Sequence, residues 1–278
     1  SGAGGGAVRS IVAHGEYVGR SISDVVHGHG EELFGKGRAA RAFPLLVKFL
    51  DAGGNLSVQV HPSPEYAAAH PDAHLKTESW YIVEAEVGAK IYKGVREGVT
   101  RDQFARAIAD NTVMDLMIAI DVRAGDFHHL PSGTCHALGG GIVVAEVQTP
   151  SDTTFRVYDW GRTDRQLHIE QSLECIEFGP PARLDAIRGE AGARETLLES
   201  NDYYELTERR FAPGEVCDVH SQESARIWMV MNGRGRIETE GGGVVALSLG
   251  STTLIPAICK AGDAVFSEET TILEARAV

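Results

Sequence analysis

Short apolar runs, each cut off by Gly, Pro or Asp, recur along this chain and limit its fold more than any other feature. Leu45-Leu-Val-Lys-Phe-Leu50, Leu56-Ser-Val-Gln-Val60, Trp80-Tyr-Ile-Val83, Ala89-Lys-Ile-Tyr92, Gly141-Ile-Val-Val-Ala145 and Thr154-Phe-Arg-Val-Tyr158 all read as strands. With 32 glycines in 278 residues the chain has many turn positions, and the pattern is that of a β-sandwich or barrel. No Gly-x-Gly-x-x-Gly links a strand to a helix and no Walker A sequence is present, which disfavours nucleotide folds. Two helices are expected. One runs from Ile22 to Phe34 after Ser21. The other runs from Thr100 to Asn111, where Thr100 and Gln103 form a capping-box pattern and Phe104, Ala107 and Ile108 share a face.

Composition shifts around Pro180-Pro181. Residues 179–197 are polar and Ala/Gly-rich and read as a linker, after which strand signals return at Tyr203 to Phe211, Arg226 to Met231, Gly235 to Glu240, Val244 to Leu249 and Thr252 to Ile255. The expected layout is a flexible tail at 1–6, an N-terminal domain at 7–178 with a helical insertion, the linker, and a second β-rich domain at 198–278. No apolar run reaches the ~18 residues of a membrane helix. The first residues show neither the basic nor the apolar region of a secretory signal. Cys135, Cys175, Cys217 and Cys259 form no Cys-x-x-Cys, so reduced thiols and a cytoplasmic setting are the expectation. Lys plus Arg is 26 and Asp plus Glu is 39, a net charge of −13 that argues against nucleic acid. An anionic ligand would need its own local positive groups.

Three segments carry metal-ligand chemistry. In Asn55-Leu-Ser-Val-Gln-Val-His-Pro62, strand alternation puts Ser57, Gln59 and His61 on one face and Leu56, Val58 and Val60 on the apolar one. Gln59 and His61 are then roughly 7 Å apart at Cα, a workable spacing for two ligands of one ion. By the same rule Lys76, Glu78 and Trp80 share a face. In Gly125-Asp-Phe-His-His-Leu-Pro-Ser-Gly-Thr-Cys-His136, a Gly/Pro turn delivers His136 at the start of a strand. A lone histidine is usually structural, but His61 and His136 each come with co-ligands. His128 and His129 are set aside because alternation turns one of them outward, and His70 and His74 lie in a loop or short helix.

The turn ending at His136 resembles the second motif of the cupin superfamily. Phe43-Pro-Leu-Leu-Val-Lys-Phe-Leu-Asp-Ala52, Leu56 to Pro62, Lys76-Thr-Glu-Ser-Trp-Tyr81 and Ser151-Asp-Thr-Thr-Phe-Arg156 together resemble type I mannose-6-phosphate isomerases in their short bacterial form. The resemblance is strongest over residues 43–160. It implies a mainly β protein of two cupin-type barrels, or jelly rolls, with a few helices and the metal site in the first. It implies one Zn²⁺ per chain held by Gln59, His61, Glu78 and His136, an active-site arginine at Arg156, and a proton shuttle at Glu146. It implies substrate contacts from Lys76 and Ser57, to which Lys93 could add charge. The implied reaction interconverts mannose 6-phosphate and fructose 6-phosphate through a cis-enediol, on a small phosphosugar, by a cytoplasmic monomer or weak homodimer with no nucleic-acid or membrane partner. An iron dioxygenase and a non-catalytic sugar-phosphate binder are the alternatives, and Gln-x-His in place of His-x-His argues against the first. The chain departs from the family in two places. Ala7-Val-Arg-Ser-Ile-Val-Ala13 stands where members carry a Glu-x-Trp strand, and Gly250-Ser-Thr-Thr-Leu-Ile-Pro256 repeats the cupin turn without its histidine, so the second half reads as metal-free.

Overall fold

The punctuated runs form strands, and the protein is mainly β with a few helices. The computed structural model describes residues 10–37, 42–220, 224–259 and 262–278. The expected tail at 1–6, and residues 7–9 of the segment in the Glu-x-Trp position, lie outside them. The chain divides into two compact units, residues 45–189 and residues 1–44 together with 190–278.

Helix α1 (Ile22–Phe34) starts where the sequence says, its first turn capped by the Ser21 side chain accepting from the Asp24 N–H. The sequence reading attached this segment to the first domain; the structure groups it with the C-terminal half. The reason is apolar: Val25, Val26, Leu33 and Phe34 bury their stripe in a cluster with Ala225 and Leu254, and the Ala257 N–H donates to the Leu33 carbonyl.

The 45–189 unit contains β1 (Leu46–Ala52), β2 (Val58–Val60), α2 (Pro64–Ala69), β3 (Glu78–Ala85), β4 (Lys90–Val95), α3 (Arg101–Ala109), β5 (Met117–Asp121), β6 (Phe127–Leu130), β7 (His136–Leu138), β8 (Ile142–Gln148), β9 (Phe155–Tyr158) and α4 (Ile169–Cys175). They form a four-stranded sheet ordered β1-β8-β3-β6 and a five-stranded sheet ordered β5-β4-β7-β2-β9. Trp80, Ile82, Leu130 and Val144 of the first sheet meet Ile91 and Leu138 of the second in one apolar core. Helix α3 has the full capping box, and Phe104, Ala107 and Ile108 point into a second cluster with Val58 and Val60. Leu56 does not follow Val58 and Val60 inward as expected: it precedes β2 and is exposed.

The other unit adds β10 (Glu195–Ser200), β11 (Tyr204–Phe211), β12 (Val216–Asp218), β13 (Arg226–Asn232), β14 (Arg234–Thr239), β15 (Val244–Ser248), β16 (Thr252–Ile255), β17 (Gly262–Phe266) and β18 (Thr270–Ala277). Their sheets are ordered β10-β11-β18-β13-β16 and β12-β17-β14-β15. The expected linker is shorter than read: Ile187 forms a bridge with Phe127 and β10 already begins at Glu195. Strand for strand, β11-β18-β13-β16 repeats the order β1-β8-β3-β6, so the two halves share one layout.

Candidate metal centre and active site

Register decides which side chains meet. On one sheet His136 pairs with Gln59, Gln59 with Arg156, and His136 with Lys93, so Lys93, His136, Gln59 and Arg156 form one cross-strand row. On the other sheet Lys48 pairs with Glu146 and Glu146 with Trp80. Glu78, two residues before Trp80, therefore projects from the same face as the indole.

Three expected ligands converge. His61, Glu78 and His136 are fully buried, and their ligand atoms lie within 4.8 Å of one another. His61 Nε2 is 3.1 Å from Glu78 Oε2, and His136 Nε2 is 3.1 Å from Glu78 Oε1. The other ring nitrogens face backbone carbonyls, His61 Nδ1 at 3.2 Å from Thr153 and His136 Nδ1 at 2.8 Å from Thr134. Such bonds place the ring proton on Nδ1 and leave Nε2 free as a ligand.

Burial pushes the His61 imidazole down to about 4 against the pull of Glu78, so it is neutral near pH 7. Burial alone would raise the Glu78 carboxyl, but His61 and His136 outweigh it and hold it well below the usual carboxylate range. The Nε2 atoms of His61 and His136 thus face an ionised carboxylate, and Glu78 Oε1 is buried with no hydrogen-bond donor among the described residues. A cation satisfies all three at once, so the donor set fits a divalent metal. The fourth expected ligand is close by: the Gln59 amide nitrogen is 3.2 Å from His136 Nε2, and turning the amide presents its oxygen to the same point.

The catalytic candidates line the neighbouring wall. Glu146 is buried, with Oε2 accepting from Trp80 Nε1 at 3.1 Å and Oε1 2.9 Å from Lys48 Nζ. Burial raises its carboxyl, Glu78 raises it further, and Lys48 and Lys76 oppose. Lys76, also buried, sits 2.8 Å from Glu78 Oε2 and 4.0 Å from Glu146 Oε1. Lys76 thus lies between the Glu78 and Glu146 carboxylates. Arg156 donates from one terminal nitrogen to the Gln166 carbonyl at 2.8 Å, while its Nε is buried and unbonded among the described residues. Among the described residues Arg156 pairs with neither Asp152 nor Asp159, and the Asp159 carboxylate is held by Arg162 and Arg165. Ser57 is buried immediately before β2.

Sequence reasoning missed Lys48, read only as part of an apolar strand. Its partner is about a hundred residues away in sequence, and nothing local announces the pairing. Lys93 is fully buried on the His136 row, with Nζ donating to the Arg183 carbonyl at 2.5 Å. Of the two set-aside histidines, His128 is fully buried, and His129, on the opposite face of the strand and half-buried, bonds the Ser79 hydroxyl.

Residues 6–106 match the family described as phosphomannose isomerase type I, catalytic domain. The chain is 38% identical over 255 residues to a mannose-6-phosphate isomerase of Streptococcus mutans, spanning 89% of this chain and 78% of that protein. Its structure is similar to that of the mannose 6-phosphate isomerase from Bacillus subtilis, with a TM-score of 0.82 at 28% identity, covering 96% of this chain and 85% of that one. A zinc-bound mannose 6-phosphate isomerase shares the fold at a TM-score of 0.71 and 17% identity, covering 93% and 85%.

Proposed function

The chain belongs to the type I mannose-6-phosphate isomerase family, and from that premise we propose that it interconverts mannose 6-phosphate and fructose 6-phosphate at the His61–Glu78–His136 centre. The observation that carries this is a proton-hungry carboxylate beside a metal-competent donor set. Glu146 is desolvated and raised, and Lys76 ties it to Glu78.

Aldose–ketose isomerisation takes a proton from C2 of the aldose and returns it to C1, through a cis-enediol. One base must reach both carbons, and the oxygens between them need a positive neighbour. Glu146 suits the first task because burial makes it a better base than an exposed carboxylate. The Trp80 indole holds one of its oxygens by a hydrogen bond, and the Lys48 ammonium, bonded to Gln148, lies 2.9 Å from the other as an ion pair, so its orientation is favoured before substrate arrives. Gln59, His61, Glu78 and His136 would hold Zn²⁺, which supplies a Lewis acid for the sugar oxygens when bound. Arg156, next to Gln59 in register and with an unbonded Nε, is placed to stabilise the enediolate or hold phosphate through its fork. Lys76 and Ser57 complete the substrate contacts. In a chain of net charge −13, Lys48, Lys76, Lys93 and Arg156 give the pocket a positive island for the phosphate.

Both units are read as cupin-type jelly rolls, a reading supported by their shared strand order, with chemistry in the 45–189 unit alone. The four cysteines are free, which suits a cytoplasmic setting. Incubating zinc-loaded protein with mannose 6-phosphate tests the activity. Fructose 6-phosphate should accumulate; none, beside a control enzyme that turns over, refutes it.

A further inference from the structure

The second unit repeats the active-site frame with one sign reversed. In the first, Trp80 pairs across strands with Glu146 and donates its indole N–H to that carboxylate. In the second, Trp228 pairs with Glu274 on the corresponding strands and donates at 2.6 Å. Two residues before Trp80 stands Glu78, the metal carboxylate. Two residues before Trp228 stands Arg226, buried like Glu78. On β12, whose place in its sheet answers to that of β2, Cys217 pairs with the fully buried Ala264. The donor set for a cation is gone and cations stand in its place.

Among the described residues these cations outnumber their partners. Arg276 takes Glu274 Oε1 at 2.9 Å through Nε. Oε2 is shared by the Trp228 indole, Arg209 at 3.2 Å and Arg226 at 3.7 Å. Arg209 also meets Glu195, a largely exposed carboxylate. Among the described residues, three guanidiniums therefore face two carboxylates. Among the described residues Arg226, with its side chain 3% exposed, has the long contact to Glu274 and a bond to the His220 carbonyl at 2.9 Å. Arg209 Nε is buried without an acceptor among the described residues. Both guanidiniums lie near the Trp228 ring, 5.8 and 6.0 Å from its centroid, and both act on the half-exposed Cys217 thiol. A buried charge in excess is costly unless an anion meets it.

We propose that the end of the second unit framed by Arg209, Arg226, Trp228 and Cys217 binds a phosphate-class oxyanion, either inorganic phosphate or the phosphate of a sugar phosphate. Guanidinium forks suit such oxygens, and the half-exposed Cys217 puts solvent within reach of the group. The site is built from residues of the second unit alone and does not depend on the isomerase reading.

Cys217 is the reporter. The full-length zinc-loaded protein is alkylated with iodoacetamide, and the rate at Cys217 is followed by peptide mass spectrometry as inorganic phosphate replaces chloride at constant ionic strength. At ten times Kd about a tenth of sites are free, so alkylation should slow saturably, by about tenfold. Arg226→Met should abolish this protection while leaving mannose 6-phosphate turnover unchanged; Arg226→Gln serves if the Met variant does not fold. Half-protection at a lower concentration of mannose 6-phosphate than of phosphate assigns a sugar phosphate, and equal concentrations assign the phosphate group alone. An unchanged alkylation rate in the wild-type protein overturns the proposal, whichever variants fold. Protection that persists in a folded Arg226 variant at the wild-type midpoint also overturns it.

Discussion

Replacing Glu78 with Gln keeps the shape of the side chain and removes its charge, which separates two things the structure makes this carboxylate do. Glu78 is fully buried and touches His61, His136 and Lys76 at 3.1, 3.1 and 2.8 Å. In metal-free protein it is the main counter-charge of Lys76, whose side chain is 6% exposed. Breaking a buried pair by removing one partner costs about 3–5 kcal/mol. Glu146 Oε1, 4.0 Å from the same ammonium, recovers part of this, so the low end, about 3 kcal/mol, is expected. For a unit of about 150 residues each kcal/mol moves Tm by about 4 °C, so chelated Glu78→Gln should melt about 12 °C below chelated wild type. In the presence of zinc the gap should widen, because the variant also loses a ligand and with it the stabilisation that binding gives the folded state. Calorimetry with and without chelator, beside metal analysis, reads both effects. A variant that melts within a degree or so of wild type when chelated, and still holds one zinc per chain, would refute the burial argument and the ligand assignment together.

Other expectations concern the catalytic wall. Glu146→Gln should lower kcat by about 10²–10⁴ while leaving metal content at the wild-type level, measured on zinc-loaded protein. Lys48→Met removes a cation that favours the ionised Glu146, so the acid limb of the kcat/KM profile should move to higher pH; a profile that stays in place contradicts the assigned base. The stability consequence has a definite sign. Burial raises the folded Glu146 carboxyl above 4.5, so its contribution is full below 4.5 and is lost as pH rises through the folded value; urea melts at a series of pH values should show that slope in wild type and not in Glu146→Gln. Arg156→Lys keeps the charge but loses the fork, and should lower kcat/KM about tenfold or more without changing metal content.

Much of the site was legible because it obeys short-range rules. Gln59 and His61 share a face through strand alternation, and Glu78 shares one with Trp80. The Gly/Pro turn before His136 fixes where a strand begins, so motif and geometry agree. The helix caps at Ser21 and Thr100 were equally local. What escaped is non-local. Lys48 reads as a hydrophilic slip in Leu45-Leu-Val-Lys-Phe-Leu50 until the register sets it against Glu146. His129 was unreadable because alternation names a face and not what covers it; its partner Ser79 lies on the neighbouring strand. The placement of α1 with the C-terminal half also depended on a distant apolar partner, Leu254. Cys217 and Arg226 meant nothing singly. They gained a reading only when the two units were laid over one another by strand order.

The central claim is that one metal at the His61–Glu78–His136 centre makes this chain an isomerase. Stripping the protein with chelator and titrating zinc back, with bound metal and fructose 6-phosphate formation measured on the same samples, tests it most directly. Turnover should rise in proportion to bound zinc and stop rising at one ion per chain. Full occupancy with no turnover of mannose 6-phosphate, or turnover that survives complete removal of the metal, would contradict it.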